Sequence, residues 1–86
     1  MIMYYVYIFQ SQKDKKLYIG FTSNLKKRIR KHQAGEVTST KTRRPLRLIF
    51  YEAFLVKQDA LRRERYFKTQ KEKASLKQII RNSLKQ

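Results

Sequence analysis

Two short runs dense in Tyr, Val, Ile and Phe, residues 3–9 and 16–21, are separated by a polar stretch that holds Gln12, Lys13 and Asp14. β-branched and aromatic side chains favour the pleated, half-buried surface of a sheet, and a polar break of this length closes a hairpin. The chain is therefore predicted to open on a β-hairpin. Closed symmetrically about Gln12 and Lys13, that hairpin sets Tyr7 opposite Tyr18 and projects both rings from one face. A third strand is predicted over residues 46–54, directly after Pro45.

Elsewhere the pattern turns helical. Ser23 or Asn24 can cap a helix that runs to about residue 34, and Gly35 occupies the usual place of a left-handed C-terminal residue. At about 100° per residue, Leu25 and Ile29 face inward, Lys26, Lys27, Arg30 and Lys31 point elsewhere, and Arg28 and His32 flank the apolar stripe. Residues 36–44 are polar, end in a basic cluster before Pro45, and read as a loop. A second helix is predicted over residues 56–68 with Ala60, Leu61, Glu64 and Phe67 inward. A third, over about 73–84, carries Leu76, Ile79, Ile80 and Leu84 at helical spacing.

With 86 residues the chain has room for one domain and one modest core. Apolar residues make up 41% of it, enough to bury such a core, so a folded α/β or α+β unit is expected over residues 1–86. The 22 Lys and Arg against 6 Asp and Glu leave a formal charge of +16, which attracts polyanions. Nucleic acid is the commonest such partner, because neutralising its phosphates releases condensed counterions. An anionic membrane is the rival, but no apolar run reaches the roughly 18 residues of a span, and no signal peptide is evident. Absence of cysteine removes disulfides, thiol chemistry and zinc fingers, and suits a cytoplasmic protein.

Few side chains can carry hydrolytic chemistry. Of the carboxylates, Asp14 falls in a turn, Glu36 in a loop, Asp59 near a helix start and Glu72 in an exposed charged stretch. Glu64 instead projects between Ala60, Leu61 and Phe67, where an unpaired carboxylate is costly without a cation or hydrogen bonds. The bland account is an ion pair with Arg28, Arg62, Arg63 or Arg65. Glu52, beside Phe50 and Phe54 on the third strand, is the second candidate, with a structural role expected. His32 is the single histidine, which argues against a multi-histidine zinc site, and a lone histidine at a helix edge is more often solvated or at the rim of a core. Arg28 beside it can bind a phosphate bidentately, and Tyr7 and Tyr18 taken singly are ordinary strand aromatics.

Together these residues form a pattern that none shows alone. Tyr5-Val6-Tyr7, then Tyr18-Ile19-Gly20, then Asn24-Leu25 with Arg28 and His32, then Arg63-Glu64, resembles the GIY-YIG nuclease domain, and more closely its minimal stand-alone, UvrC-type (UPF0213-like) members. The likeness covers about residues 3–68. Its first tripeptide departs, with Tyr5 where the family name has Gly and Val6 where it has Ile. The resemblance implies an α+β fold, a small three-stranded antiparallel sheet flanked by about three helices, with the active site on one face of the sheet. It implies Tyr7 and Tyr18 as paired active-site tyrosines, Arg28 as the phosphate-stabilising arginine, His32 in proton transfer or phosphate contact, and Glu64 as ligand of one divalent cation.

Those residue types suit phosphodiester hydrolysis, which needs an activated water, relief of charge on the non-bridging oxygens and protonation of the leaving oxygen. One carboxylate plus waters suits Mg²⁺, with Mn²⁺ as the alternative. A tyrosine acts as base at neutral pH only where positive charge stabilises its phenolate. Tyr7 is expected as base or water-positioner with Tyr18 hydrogen-bonded in support, and the two roles are exchangeable. Lys26, Lys27, Arg30, Lys31, Lys41, Arg43 and Arg44 are expected to bind the nucleic-acid backbone. The function read from this is a metal-dependent endonuclease in DNA repair or processing, with DNA favoured over RNA and structure selectivity or a protein partner supplying specificity. A nucleic-acid-binding module without useful turnover is the competing reading.

Overall fold

The computed structural model describes residues 2–70 and 74–85, so the expectation for Glu72 lies outside the described residues. Three antiparallel strands, β1 (Tyr4–Ser11), β2 (Leu17–Thr22) and β3 (Leu46–Phe54), form a sheet of order β2-β1-β3. Helix α1 (Leu25–Gln33) follows β2, and α2 (Lys57–Gln70), α3 (Ala74–Ile79) and α4 (Arg81–Leu84) follow β3. This is the expected α+β arrangement, with β1 central and buried on both faces.

Alternation along β1 divides the core. Val6 and Ile8 join Leu17, Ala60, Phe67, Leu76 and Ile80 on the face covered by α2 to α4. Tyr7 and Phe9 join Leu46 on the opposite face, where Leu25 and Ile29 of α1 pack. Arg63 of α2 grips Glu52 of β3 through Nε to Oε1 at 2.8 Å, giving Glu52 the structural role expected of it.

The hairpin register differs from the expected one by two residues. Tyr7 pairs with Gly20, and Tyr18 with Phe9. The loop is closed by the Ser11 N–H donating to the Lys16 carbonyl at 3.0 Å, which centres it between Lys13 and Asp14, one position later than predicted. Local side chains set that centre. Ser11 Oγ accepts from the N–H groups of Lys13 and Asp14, both at 3.1 Å, and Asp14 Oδ1 accepts from the Lys16 N–H at 2.9 Å. A shift of two preserves facing, so Tyr7 and Tyr18 still share one face.

Asn24 caps α1, its Oδ1 accepting from the Lys27 N–H at 3.1 Å. At the other end Gly35 has φ 77°, its N–H donating to the His32 carbonyl while that of Glu36 donates to the Lys31 carbonyl. These are the paired bonds of a Schellman stop. Residues 36–44 contain a 3₁₀ turn, Lys41–Arg43, that the loop prediction lacks. The predicted last helix is two, α3 and α4, broken at Ile80, whose φ −109° and ψ 17° leave the helical region. Ile79, at the end of α3, is 50% exposed, while Leu76 and Ile80 are buried.

Ser11 is fully buried and ties the hairpin to the 3₁₀ turn, its Oγ donating to the Arg43 carbonyl at 2.6 Å. Ser11→Ala removes three hydrogen bonds from a site closed to water and is expected to destabilise the fold by about 1–3 kcal/mol. A urea midpoint unchanged from the parent would show that Ser11 does not hold these segments together.

Candidate active site

The pairing of Tyr7 with Gly20 decides the geometry of the site. A Cβ at position 20 would fall on the Tyr7 hydroxyl and Cζ, so the phenol occupies the space that any side chain there would fill. The ring thereby lies over β2, an edge strand, with its hydroxyl above Gly20.

Two partners converge on that phenol, and a third stands behind one of them. Arg28 Nε donates to the Tyr7 oxygen at 3.1 Å, and the hydroxyl lies 3.1 Å from His32 Nε2. His32 Nδ1 lies 2.8 Å from Thr40 Oγ1. Arginine can only donate, so the phenol keeps its proton for Nε2, and a neutral imidazole then carries its own proton on Nδ1 and donates it to Thr40. The chain of bonds reads Arg28 to Tyr7 to His32 to Thr40. His32 is not at a solvated edge but buried at 3% exposure, against Phe9 with ring centroids 4.7 Å apart. Burial first, and the Arg28 guanidinium second, lower its pKa to about 4, so it is neutral at physiological pH.

A cleft of about 460 Å³ opens here, lined by Tyr7, Tyr18, Gly20, Arg28, His32 and Thr40 and also by Glu64 and Lys68 of α2. All five residues expected in the site, Tyr7, Tyr18, Arg28, His32 and Glu64, border it. It is not confined to one face of the sheet, because α1 and α2 pack on opposite faces and their side chains meet beside β2. Glu64 is reached by none of the expected arginines. Its Oε2 pairs with Lys68 Nζ at 3.2 Å, one helical turn on.

Tyr18 departs from the expected pairing. Its hydroxyl donates to Asp14 Oδ2 at 3.2 Å rather than to Tyr7. Burial, and then the Asp14 carboxylate, push its pKa up, which suits a donor and not a base. Asp14 itself is held below the usual carboxylate range, first by the Lys16 N–H and further by Ser11, Tyr18 and Arg43. Thr40, Lys68 and Asp14 were absent from the sequence-predicted site. Thr40 sits in an irregular loop without periodicity, whereas Lys68 lies four residues after Glu64 and was legible as its partner.

The outer cations are distributed unevenly. Lys27 and Lys31 join Arg28 around a second hollow with Thr22, Ser23 and Asn24. Lys26, Arg30 and Lys41 are exposed. Arg43 lies 3.6 Å from Asp14, and Arg44 donates to the carbonyls of Lys41 and Gln33.

Among the described residues no three His, Cys, Asp or Glu side chains gather as a ready-made metal cage. Among the described residues Glu64 is the one carboxylate lining the cleft, and both His32 nitrogens are engaged, so these donors offer hard oxygen. That suits a cation that keeps most of its waters.

Residues 3–78 match the GIY-YIG catalytic domain. The chain belongs to the GIY-YIG family. This is a nuclease-type hydrolase family whose substrate is nucleic acid and whose members generally use a divalent metal. A UPF0213 protein of Staphylococcus haemolyticus is 45% identical over 92% of this chain and 96% of its own. Another, from Bacillus subtilis, is 43% identical over 83% of this chain and 75% of its own. The solution NMR structure of a UPF0213 protein from Bacillus halodurans superposes with TM-score 0.51 at 37% identity, covering 78% of this chain and 71% of that one. No helix among the described residues of this GIY-YIG chain is long and apolar enough to cross a membrane.

Two outcomes follow from the geometry. Gly20→Ala drives a methyl into the Tyr7 phenol and should destabilise the fold by about 1–3 kcal/mol. The Tyr7 hydroxyl should leave Arg28 and His32, and an unchanged His32 ring environment by NMR would contradict the packing. The second concerns acid. His32 binds its proton at about 4 when folded but near 6.5 when unfolded, so its contribution is fully present above 6.5 and is lost as pH falls toward 4. The loss is on the order of 2–3 kcal/mol. Asp14 acts lower, its contribution being lost only below its ordinary 3.8. Urea denaturation from pH 7 to 4 should show the decline, and His32→Gln should flatten it. A parent and variant with parallel profiles would remove His32 as the cause.

Proposed function

We propose that this chain is a divalent-metal-dependent endonuclease that hydrolyses phosphodiester bonds in DNA, selects its substrate by structure, and serves DNA repair or processing in the cytoplasm. The observation that carries the reading is the hydrogen-bonded sequence from Arg28 through Tyr7 to a neutral, buried His32, in a cleft also bordered by the Glu64 carboxylate.

The residues divide the work. Arg28 donates to the Tyr7 oxygen through Nε, leaving the rest of its guanidinium for a phosphate oxygen. As water attacks phosphorus and the bond to the leaving oxygen breaks, the water passes a proton to the Tyr7 oxygen while the Tyr7 proton moves to His32 Nε2, and the departing oxygen takes its proton from solvent. His32 becomes imidazolium, with its Nδ1–H kept on Thr40. A phosphate seated at Arg28 brings negative charge that offsets the guanidinium's repulsion of that imidazolium, so substrate itself raises the affinity of His32 for the proton. Tyr18, whose one O–H goes to Asp14, is a fixed part of the cleft wall and not a proton carrier. Glu64 would hold the cation, Mg²⁺ first and Mn²⁺ as alternative, which when bound supplies charge stabilisation at the phosphate and leaving oxygens.

One observation favours the alternative of a binding module without turnover. Glu64 already has a counter-ion in Lys68 and needs no metal for its burial. Glu64→Gln separates the readings, because the near-isosteric amide removes the charged ligand without opening a cavity. Metal-dependent cleavage of labelled flaps, junctions and duplexes is expected to fall at least about a hundredfold, with DNA binding equal or tighter and the melting temperature nearly unchanged. Parent protein that binds yet cleaves nothing under Mg²⁺ or Mn²⁺ would favour the binding module. A variant that cleaves as well as the parent would remove Glu64 from the reaction.

A further inference from the structure

Helix α1 covers only part of its face of the sheet. The apolar cluster beneath it contains Tyr7, Phe9, Leu46, Tyr18 and Leu48, all toward one end of the strands. Toward the other end, the same alternation places Tyr5, Thr22, Tyr51 and Ala53 on that face, with Tyr5 paired to Thr22 and Ala53, and Tyr51 paired directly to Tyr7. None of these four belongs to either core cluster. Tyr51 is 54% exposed, and its ring meets that of Tyr5 edge-on with centroids 6.2 Å apart. Tyr5 is the residue that stands where the family motif has glycine, so half of this aromatic pair is a departure that the fold itself does not require.

A cationic hollow opens beside the strand partner of Tyr5. Thr22, opposite Tyr5, also lines the hollow bordered by Lys27, Arg28 and Lys31, with no carboxylate among the lining residues. Arg28 is shared between this hollow and the catalytic cleft. An aromatic platform beside a cationic track is the chemistry that holds an unpaired nucleotide, because a base stacks on the ring while its phosphate meets the lysines. A base inside a duplex offers no free face to such a platform.

We infer that Tyr5 and Tyr51, with Lys27 and Lys31, form a site for an unpaired nucleotide next to the scissile phosphate, and that this site directs the chain to DNA with a single-stranded extension. The inference rests on the proposed function for nucleic acid as ligand and adds what part of the strand is recognised. Tyr51 supplies the open ring, and Tyr5 braces it from the central strand. Lys27 and Lys31 hold the phosphate, and Arg28 passes the strand into the cleft.

The test reads binding, not cleavage, and is made without divalent cation. A duplex carrying a single-stranded overhang with 2-aminopurine at its first unpaired position is compared with the blunt duplex. The parent should bind the overhang about tenfold more tightly, the scale of one stacked base, and quench the 2-aminopurine. Tyr51→Ala lies at an exposed position of an edge strand and should abolish both the preference and the quench while leaving blunt-duplex affinity unchanged. Tyr51→Phe should retain both. A parent without preference, or a Tyr51→Ala variant that keeps the quench, overturns the site. Because no cleavage is read, a chain that stacks the base but never cuts would refute the endonuclease reading alone.

Discussion

The contact between the Tyr7 ring and the bare backbone of Gly20 fixes where every other functional group must stand. A phenol can lie this close over a strand only where the strand presents no side chain, and the hairpin register puts the glycine there. That register comes from Ser11 and Asp14, whose side chains bond the turn's N–H groups and centre it between Lys13 and Asp14. A polar clasp in the turn thus positions an aromatic hydroxyl well away from it.

Core and cleft share their atoms. Tyr7 and Phe9 pack in the apolar cluster under α1 and also wall His32, with ring centroids 5.6 and 4.7 Å from the imidazole. Dry packing keeps the imidazole neutral, and a neutral imidazole can take the Tyr7 proton. The same packing denies His32 the charge that water would otherwise stabilise, so the fold carries an acid sensitivity as the counterpart of a proton acceptor held ready. In small domains, where one cluster must serve stability and chemistry together, substitutions seldom change one alone.

Much of this architecture was legible beforehand because it depends on local patterns. Strand β3, the Asn24 cap and the Gly35 stop follow from alternation, side-chain capping and positive φ, all written in neighbouring residues. The register of the hairpin does not follow from the pattern, because a six-residue polar stretch admits several turn centres and the bonding of Ser11 and Asp14 selects one. Helical spacing groups Ile79 with Leu76, Ile80 and Leu84, yet spacing alone does not show how wide a stripe the neighbouring elements cover, and Ile79 falls outside it. His32 was read at the rim because a helical projection cannot see what packs over it, here Phe9 and a threonine from a loop without periodicity. The gathering of Tyr7, Tyr18, Arg28, His32 and Glu64 follows from a motif spread across four elements, and pairwise spacing alone does not assemble it.

The edge position of β2 has a consequence for how copies of this chain behave toward one another. An outer strand presents unpaired backbone donors and acceptors, an invitation for a strand of another molecule to add itself. Here Arg28 and Lys68 stand on the cleft beside that edge, in a chain of formal charge +16, so an approaching twin meets like charge before it meets hydrogen bonds. A polyanion is drawn in by the field that turns the twin away. Solubility and substrate capture are therefore opposite faces of one charge distribution, and neutralising these cations would weaken nucleic-acid binding and expose the sheet to self-assembly together.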